Sequence, residues 1–272
     1  DRPTREIQPD ATQTFHVYGF GNDQNGVRRF RKTTTDANGI SVSVLTDPRE
    51  LQMRIIAPLG AVTDFKYNAL GELIESKDPE GHITTYNYDL AGRRVSRVHP
   101  DAGQTNWSYD AAGNLTSTAN ANLIGNGQTV NYSYHFGQLT GVTYPTNPEN
   151  NVLYAYGSSG NSTGRITTMQ DASGVHAFEY GSMGEVVRKQ STGYVPVGGG
   201  EDYTFSTRWQ YDSWNRVKTI EYPDGELVVY NYDRGGQFIS MQGTKTNTQD
   251  YVTNVKYDEF GSRTRLDYGN NT

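Results

Sequence analysis

Aromatic side chains recur along this chain in pairs with one residue between them, and a short polar turn follows each pair. The pairs are Phe65/Tyr67, Tyr86/Tyr88, Trp107/Tyr109, Tyr132/Tyr134, Tyr154/Tyr156, Phe178/Tyr180, Trp209/Tyr211 and Tyr230/Tyr232. A ninth copy has Val255 before Tyr257. The second members stand 21, 21, 25, 22, 24, 31, 21 and 25 residues apart. A sustained period of this length marks a repeat architecture. In the clearest copies Asp follows the second aromatic and Gly comes three residues later, as in Asp89/Gly92, Asp110/Gly113, Asp233/Gly236 and Asp258/Gly261. The copy at Tyr132-Ser133-Tyr134-His135 is degraded, with His in place of Asp.

A second turn signal, such as Asp78-Pro79-Glu80-Gly81 or Pro223-Asp224-Gly225, comes four or five residues before the next aromatic pair. Pro presets φ, Asp accepts bonds from its own turn, and Gly takes the left-handed conformation. The stretches between turns hold five to eight residues rich in Thr, Val and Tyr, which is strand length and strand chemistry. No segment sustains a helical period. The expected fold is all-β: an array of hairpins forming a curved or spiralling antiparallel sheet over residues 42–272. Residues 1–41 form a divergent lead-in. Loops are expected at 119–128 and at the glycine-rich stretch 192–200.

Alternation places both aromatics of a pair on one face of the strand. The returning strand is less regular, because Val95/Val98, Leu139/Val142, Ile166/Met169, Val217/Ile220 and Phe238/Met241 are three apart. An odd spacing means either a sheet with apolar residues on both faces or a bulge in every unit.

Composition explains why the aromatics matter. Leu, Ile, Val and Phe number 51 of 272 residues, close to the level of disordered chains, while Tyr alone numbers 20. Packing must lean on tyrosine. The net charge of −6 leaves no basic footprint for nucleic acid, and no apolar run is long enough to span a membrane as a helix. The absence of cysteine removes disulfides, thiolate metal sites and cysteine nucleophiles.

No residue pattern points to catalysis, a metal or a cofactor. His16, His82, His99, His135 and His176 fall at different phases of the repeat and read as surface strand and turn residues. Ser158 and Ser159 lack a nucleophile-elbow context, and Gly198–Gly200 lacks the continuation of a phosphate loop. The recurring carboxylates have no calcium-loop spacing, so turn capping is their expected role. Trp214 and Tyr194 stand off the aromatic ladder and are the candidate saccharide contacts.

The segments Tyr88-Asp89-Leu90-Ala91-Gly92-Arg93-Arg94-Val95, Tyr109-Asp110-Ala111-Ala112-Gly113-Asn114-Leu115 and Tyr222-Pro223-Asp224-Gly225 with Tyr230-Asn231-Tyr232-Asp233 resemble the YD repeats of the RHS family. The resemblance covers about residues 42 to 268. It implies strand–turn–strand units laid side by side into a ribbon that spirals into a hollow shell. In bacterial polymorphic toxins and toxin complexes such a shell encloses a C-terminal toxic polypeptide, and in teneurins a similar barrel belongs to an adhesion ectodomain. The repeat-associated core of bacterial members, with its P-x-x-x-x-D-P-x-G-L-type cleavage region, has no copy here, so self-cleavage and a toxin domain are not carried over.

The leading expectation is a non-catalytic wall segment of an RHS-type shell in a secreted or surface protein of bacterial type. Its partners would be further repeats of the parent polypeptide and a cargo domain. The other readings are a cell-surface adhesin or carbohydrate binder, and a repeat protein that pairs through its open sheet edges into a filament. Opening with Asp1, the chain reads as a segment of something longer or a processed product.

Overall fold

The computed structural model describes residues 2–193 and 202–270. Tyr194, one of the two candidate saccharide contacts, and Gly198–Gly200 lie outside them. The fold is all-β, and the chain divides into two compact units, residues 1–131 and 132–272.

In the first unit, the strands from Arg5–Ile7 to Leu115–Ala119 pair antiparallel, each with the next along the chain. In the second unit the same rule holds from Gln138–Thr143 to Arg263–Tyr268. Each hairpin therefore touches mainly its neighbours in sequence, the quasi-one-dimensional logic of repeat proteins. Residues 5–35, in the sequence-divergent lead-in, are also strands, joined by a turn in which Asp23 accepts from the N–H of Asn25 and of Val27. The stretch 119–128 contains one short helix, Ala121–Gly125, capped by the Asn120 side chain on the N–H of Leu123.

Within each unit the sheet is a single layer. The chain exposes 17631 Å² of surface, whereas a compact monomer of its mass would expose about 11,800 Å². The buried apolar residues are few, Leu45, Met53, Ala119, Val142, Val228, Val252 and Val255, and none is aromatic. All seventeen aromatics of the repeat pairs are half-buried. They line one face, while most of the residues between them, such as Asn87, Ser108 and Gln210, are exposed on the other.

The structure decides between the two readings of the three-residue spacing in four of the five units, each of which has a bulge. Register shifts between Asn87 and Tyr88, Ala155 and Tyr156, Gln210 and Tyr211, and Asn231 and Tyr232, so one residue of the returning strand is skipped. Tyr154 then faces Met169 and Tyr156 faces Ile166. Trp209 faces Ile220 and Tyr211 faces Val217, while Tyr230 faces Met241 and Tyr232 faces Phe238. The extra residue lets positions three apart share the aromatic face. In one hairpin the sequence reading is out of phase. Arg97 faces Tyr86 and Arg94 faces Tyr88, so Val95 is the skipped residue and Val98 pairs with Thr85 on the opposite face.

Candidate functional site

The repeated element consists of a tyrosine, the aspartate turn that follows it, and the bulge opposite. The aspartate acts first. Oδ1 of Asp89 accepts from the N–H of Ala91 at 2.9 Å and of Arg93 at 3.0 Å, closing the turn from inside. Oδ1 of Asp212 does the same for Trp214 and Arg216, and that of Asp258 for Phe260 and Ser262. Asp110 and Asp233 accept from the N–H four residues on, in Asn114 and Gln237. Asn68 stands in the same place and accepts from Leu70 and Glu72 through its amide oxygen, so the turn requires an acceptor rather than a charge.

Position four of the turn has positive φ: 77° at Gly92, 92° at Gly113, 89° at Gly236 and 79° at Gly261. Asn215 takes this place with φ 58°, as the non-Gly residue best able to do so.

An arginine after the positive-φ turn residue ties one hairpin to the next. Arg93 donates from Nε to Oδ2 of Asp89 at 2.7 Å and from Nη1 to the Asp110 carbonyl at 2.9 Å, with its guanidinium 4.9 Å from the Tyr109 ring. Arg216 bonds Oδ2 of Asp212 at 2.7 Å and sits 4.4 Å from the ring of Tyr232. Such bonds favour the ionised carboxylate. The Arg93 N–H and then its side chain hold Asp89 below the usual carboxylate range, and the Arg216 side chain does so for Asp212. The side chain of Asn114 does the same for Asp110.

The tyrosine hydroxyl provides the second tie. Tyr88 donates to the carbonyl of Leu73 at 2.9 Å, and Leu73 is the residue opposite Tyr67 in the preceding hairpin. The same bond joins Tyr109 to Arg94, Tyr180 to Ile166, Tyr211 to Val186, Tyr232 to Val217 and Tyr257 to Phe238, at 2.6–3.1 Å. Each acceptor lies opposite the second tyrosine of the hairpin before. Tyr156 reaches the Leu139 carbonyl at 2.8 Å. Burial pushes the hydroxyls of Tyr88, Tyr211 and Tyr232 above the ordinary tyrosine range. Only tyrosine spans this gap with a donor at its tip, whereas the first aromatic position also accepts Phe and Trp.

Tyr67 and Tyr134 depart from these seven second-position tyrosines: their rings are half-buried like the others, but neither hydroxyl makes a hydrogen bond among the described residues. Tyr134 is followed by no aspartate turn either. The strands Val130–His135 and Gln138–Thr143 are joined by Phe136 and Gly137 alone, with φ 48° and 78°. Two positive φ values in a two-residue connection make the tight hairpin turn that needs no side-chain acceptor. Tyr134 is therefore a member of the aromatic pairs without being a member of the tyrosine–aspartate element.

The remaining candidates do not assemble into a site. Trp214 lies at a turn tip, 77% of its surface exposed, and the guanidinium of Arg216 lies 5.8 Å from its ring; no stacked ring accompanies it among the described residues. His16 departs from the expected surface position. It is buried at 6% exposure, with Nε2 3.0 Å from Glu6 and Nδ1 3.1 Å from Thr34, and it pins the first strand to the sheet. Asp78, Glu80 and His82 bring three ligand atoms within 4.8 Å of one another at a turn. Both Asp78 oxygens already serve His82, through its N–H and its Nδ1.

Residues 67–105 match the RHS Repeat family model. The hairpins of that stretch are RHS repeats. No curated protein matches the chain. Solved structures match with the whole fold. A TcdB2-TccC3-Cdc42 crystal structure aligns at TM-score 0.76 and 18% identity over 97% of this chain. A TcdB2-TccC3 crystal structure gives the same figures, and a Tc holotoxin pore of Photorhabdus luminescens aligns at 0.76 and 18% over 96%. The chain spans 16% of the length of each of these three. No helix among the described residues is long and apolar enough to cross a membrane.

Proposed function

We propose that this RHS-repeat chain is a non-catalytic segment of a shell wall that encloses or delivers a cargo polypeptide as part of a longer extracellular protein. The observation that carries this reading is the single-layer ribbon itself. Its hairpins are tied by tyrosine and arginine bonds into a continuous wall within each unit, and its fold resembles a stretch of the TcdB2-TccC3 structures. A sheet whose aromatic rings are half-open to water makes an incomplete globule but a suitable wall. The turn tips support the same reading. Leu70, Leu90, Met183, Trp214 and Phe260 are all exposed, which suits tips that meet further parts of a larger assembly.

The role is steric: hydrogen-bonded strands leave no gap for water or protease, and no side chain needs to react. Imaging the full-length parent protein by electron cryomicroscopy tests it. A hollow particle with these repeats in its wall and density inside is expected. An extended rod or a solid globule would overturn it.

A further inference from the structure

On the aromatic face of the first unit, two guanidinium groups are neutralised by no carboxylate. Arg94 and Arg97 stand opposite Tyr88 and Tyr86, so the four side chains share one face. In five other hairpins the corresponding positions are apolar or neutral: Leu73 and Ser76, Leu115 and Thr118, Ile166 and Met169, Val217 and Ile220, Phe238 and Met241. Two more carry a single cation each, Lys189 opposite Phe178 and Arg263 opposite Tyr257. The Arg94 guanidinium lies 4.8 Å from the Trp107 ring and 5.9 Å from that of Tyr86. Neither side chain enters an ion pair or hydrogen bond among the described residues, unlike Arg93 and Arg216, which hold their own aspartates. The Nε of Arg97 is buried and has no acceptor. The Nη groups of Arg97, which also lack a partner among the described residues, are not buried in this way, so they are the donors open to an acceptor supplied from outside.

We propose that this patch docks an acidic segment of an extended polypeptide, with a carboxylate accepting from Arg97 and Arg94 while its flanking residues lie on the rings of Tyr86, Tyr88 and Trp107. The charge complementarity is local, since the chain as a whole is acidic. Half-exposed rings around the two cations offer apolar surface that an inorganic anion cannot use. Carboxylate–guanidinium bonds are short and directional, which fixes the segment in place. The proposal rests on the wall reading in one respect: the enclosed polypeptide is the natural source of such a segment.

Calorimetric titration of the intact chain at low salt tests it, using poly-L-glutamate as probe, with poly-L-lysine and inorganic phosphate alongside. Poly-L-glutamate binds, poly-L-lysine does not, and the Arg94→Gln/Arg97→Gln double variant weakens binding at least tenfold. Arg97→Lys, which keeps the charge but loses the planar pair of Nη donors, weakens it severalfold and serves if the double variant unfolds. Arg263→Gln, opposite Tyr257 in the last hairpin, leaves it unchanged. Binding that is indifferent to both Arg94 and Arg97, or absent, overturns the proposal. So does phosphate binding with the same variant sensitivity and no preference for poly-L-glutamate, which would mark an adventitious ion only. Neither result touches the wall reading, which the particle images decide.

Discussion

The hydroxyl of Tyr232 donates to the backbone carbonyl of Val217 at 2.8 Å, and Val217 is the residue that faces Tyr211 across the bulge of the preceding hairpin. Each second tyrosine of this type therefore completes two hairpins at once. Its ring packs in its own unit and its hydroxyl satisfies a carbonyl at the irregular point of the unit before. The bulge is where a ladder bond is missing, so it is also where an outside donor is most needed.

Tyr232→Phe keeps the ring and deletes only this donor. It is expected to lower stability by about 1 kcal/mol, the net worth of one intramolecular hydrogen bond. Tyr230→Phe, at the first aromatic position, should change stability less, because no hydroxyl bond to the preceding hairpin is made there. Urea unfolding of the two variants side by side checks the difference.

The turn aspartate is expected to tolerate Asn better than Ala. Asp89→Asn preserves the acceptor for Ala91 and Arg93, as Asn68 does in its own turn, and loses only the ion pair with Arg93. Asp89→Ala loses both, and its melting temperature should fall further below that of the parent chain. Equal losses for the two substitutions would show that charge, not turn closure, is the role of this residue.

Gly236 has φ 89°, and a Cβ there would meet Nη1 of Arg216 at 2.8 Å. Gly236→Ala should cost about 1 kcal/mol or more from backbone conformation alone. It should also displace the guanidinium from the Tyr232 ring. Thermal unfolding measures the first effect, and the ring-current shift of Tyr232 in proton NMR measures the second.

Stability should fall at both ends of the pH scale, for opposite reasons. Asp89, Asp110 and Asp212 have carboxyls held below their unfolded value of about 3.9. Their contribution is present above that value and is lost as pH falls through the folded values. Tyr88, Tyr211 and Tyr232 are raised above about 10, so theirs is complete below pH 10 and is lost as pH rises through the folded values. Melting temperature against pH should show a plateau between these limits. A melting curve still flat well above pH 10 would remove the hydroxyls from the account.

The period of the aromatic pairs revealed the strands, the turns and the shared face, because alternation and turn chemistry are local properties of the chain. The bulge was half legible. The three-residue spacing of Ile166 and Met169 demanded either a bulge or a two-faced sheet, and only the pairing with Tyr156 and Tyr154 chose. The same ambiguity misphased Val95 and Val98, since two valines three apart mimic the pattern that Arg94 and Arg97 occupy. The tyrosine bond was invisible, because its acceptor is a backbone carbonyl that any residue carries. Tyr134 shows the converse: its spacing matches the other pairs, yet spacing carries no information about the bond its hydroxyl lacks. The buried His16 was equally hidden, as its partners Glu6 and Thr34 sit on different strands of the sequence-divergent lead-in.

Hydrogen exchange on Tyr232→Phe addresses the interlock most directly. If the hydroxyl ties each hairpin to the one before, amides around Val217 and its partner strand Tyr203–Tyr211 lose protection, while those beyond Phe238 keep theirs. Loss confined to the Leu227–Tyr232 strand and its own turn, with the preceding hairpin unchanged, would contradict the account.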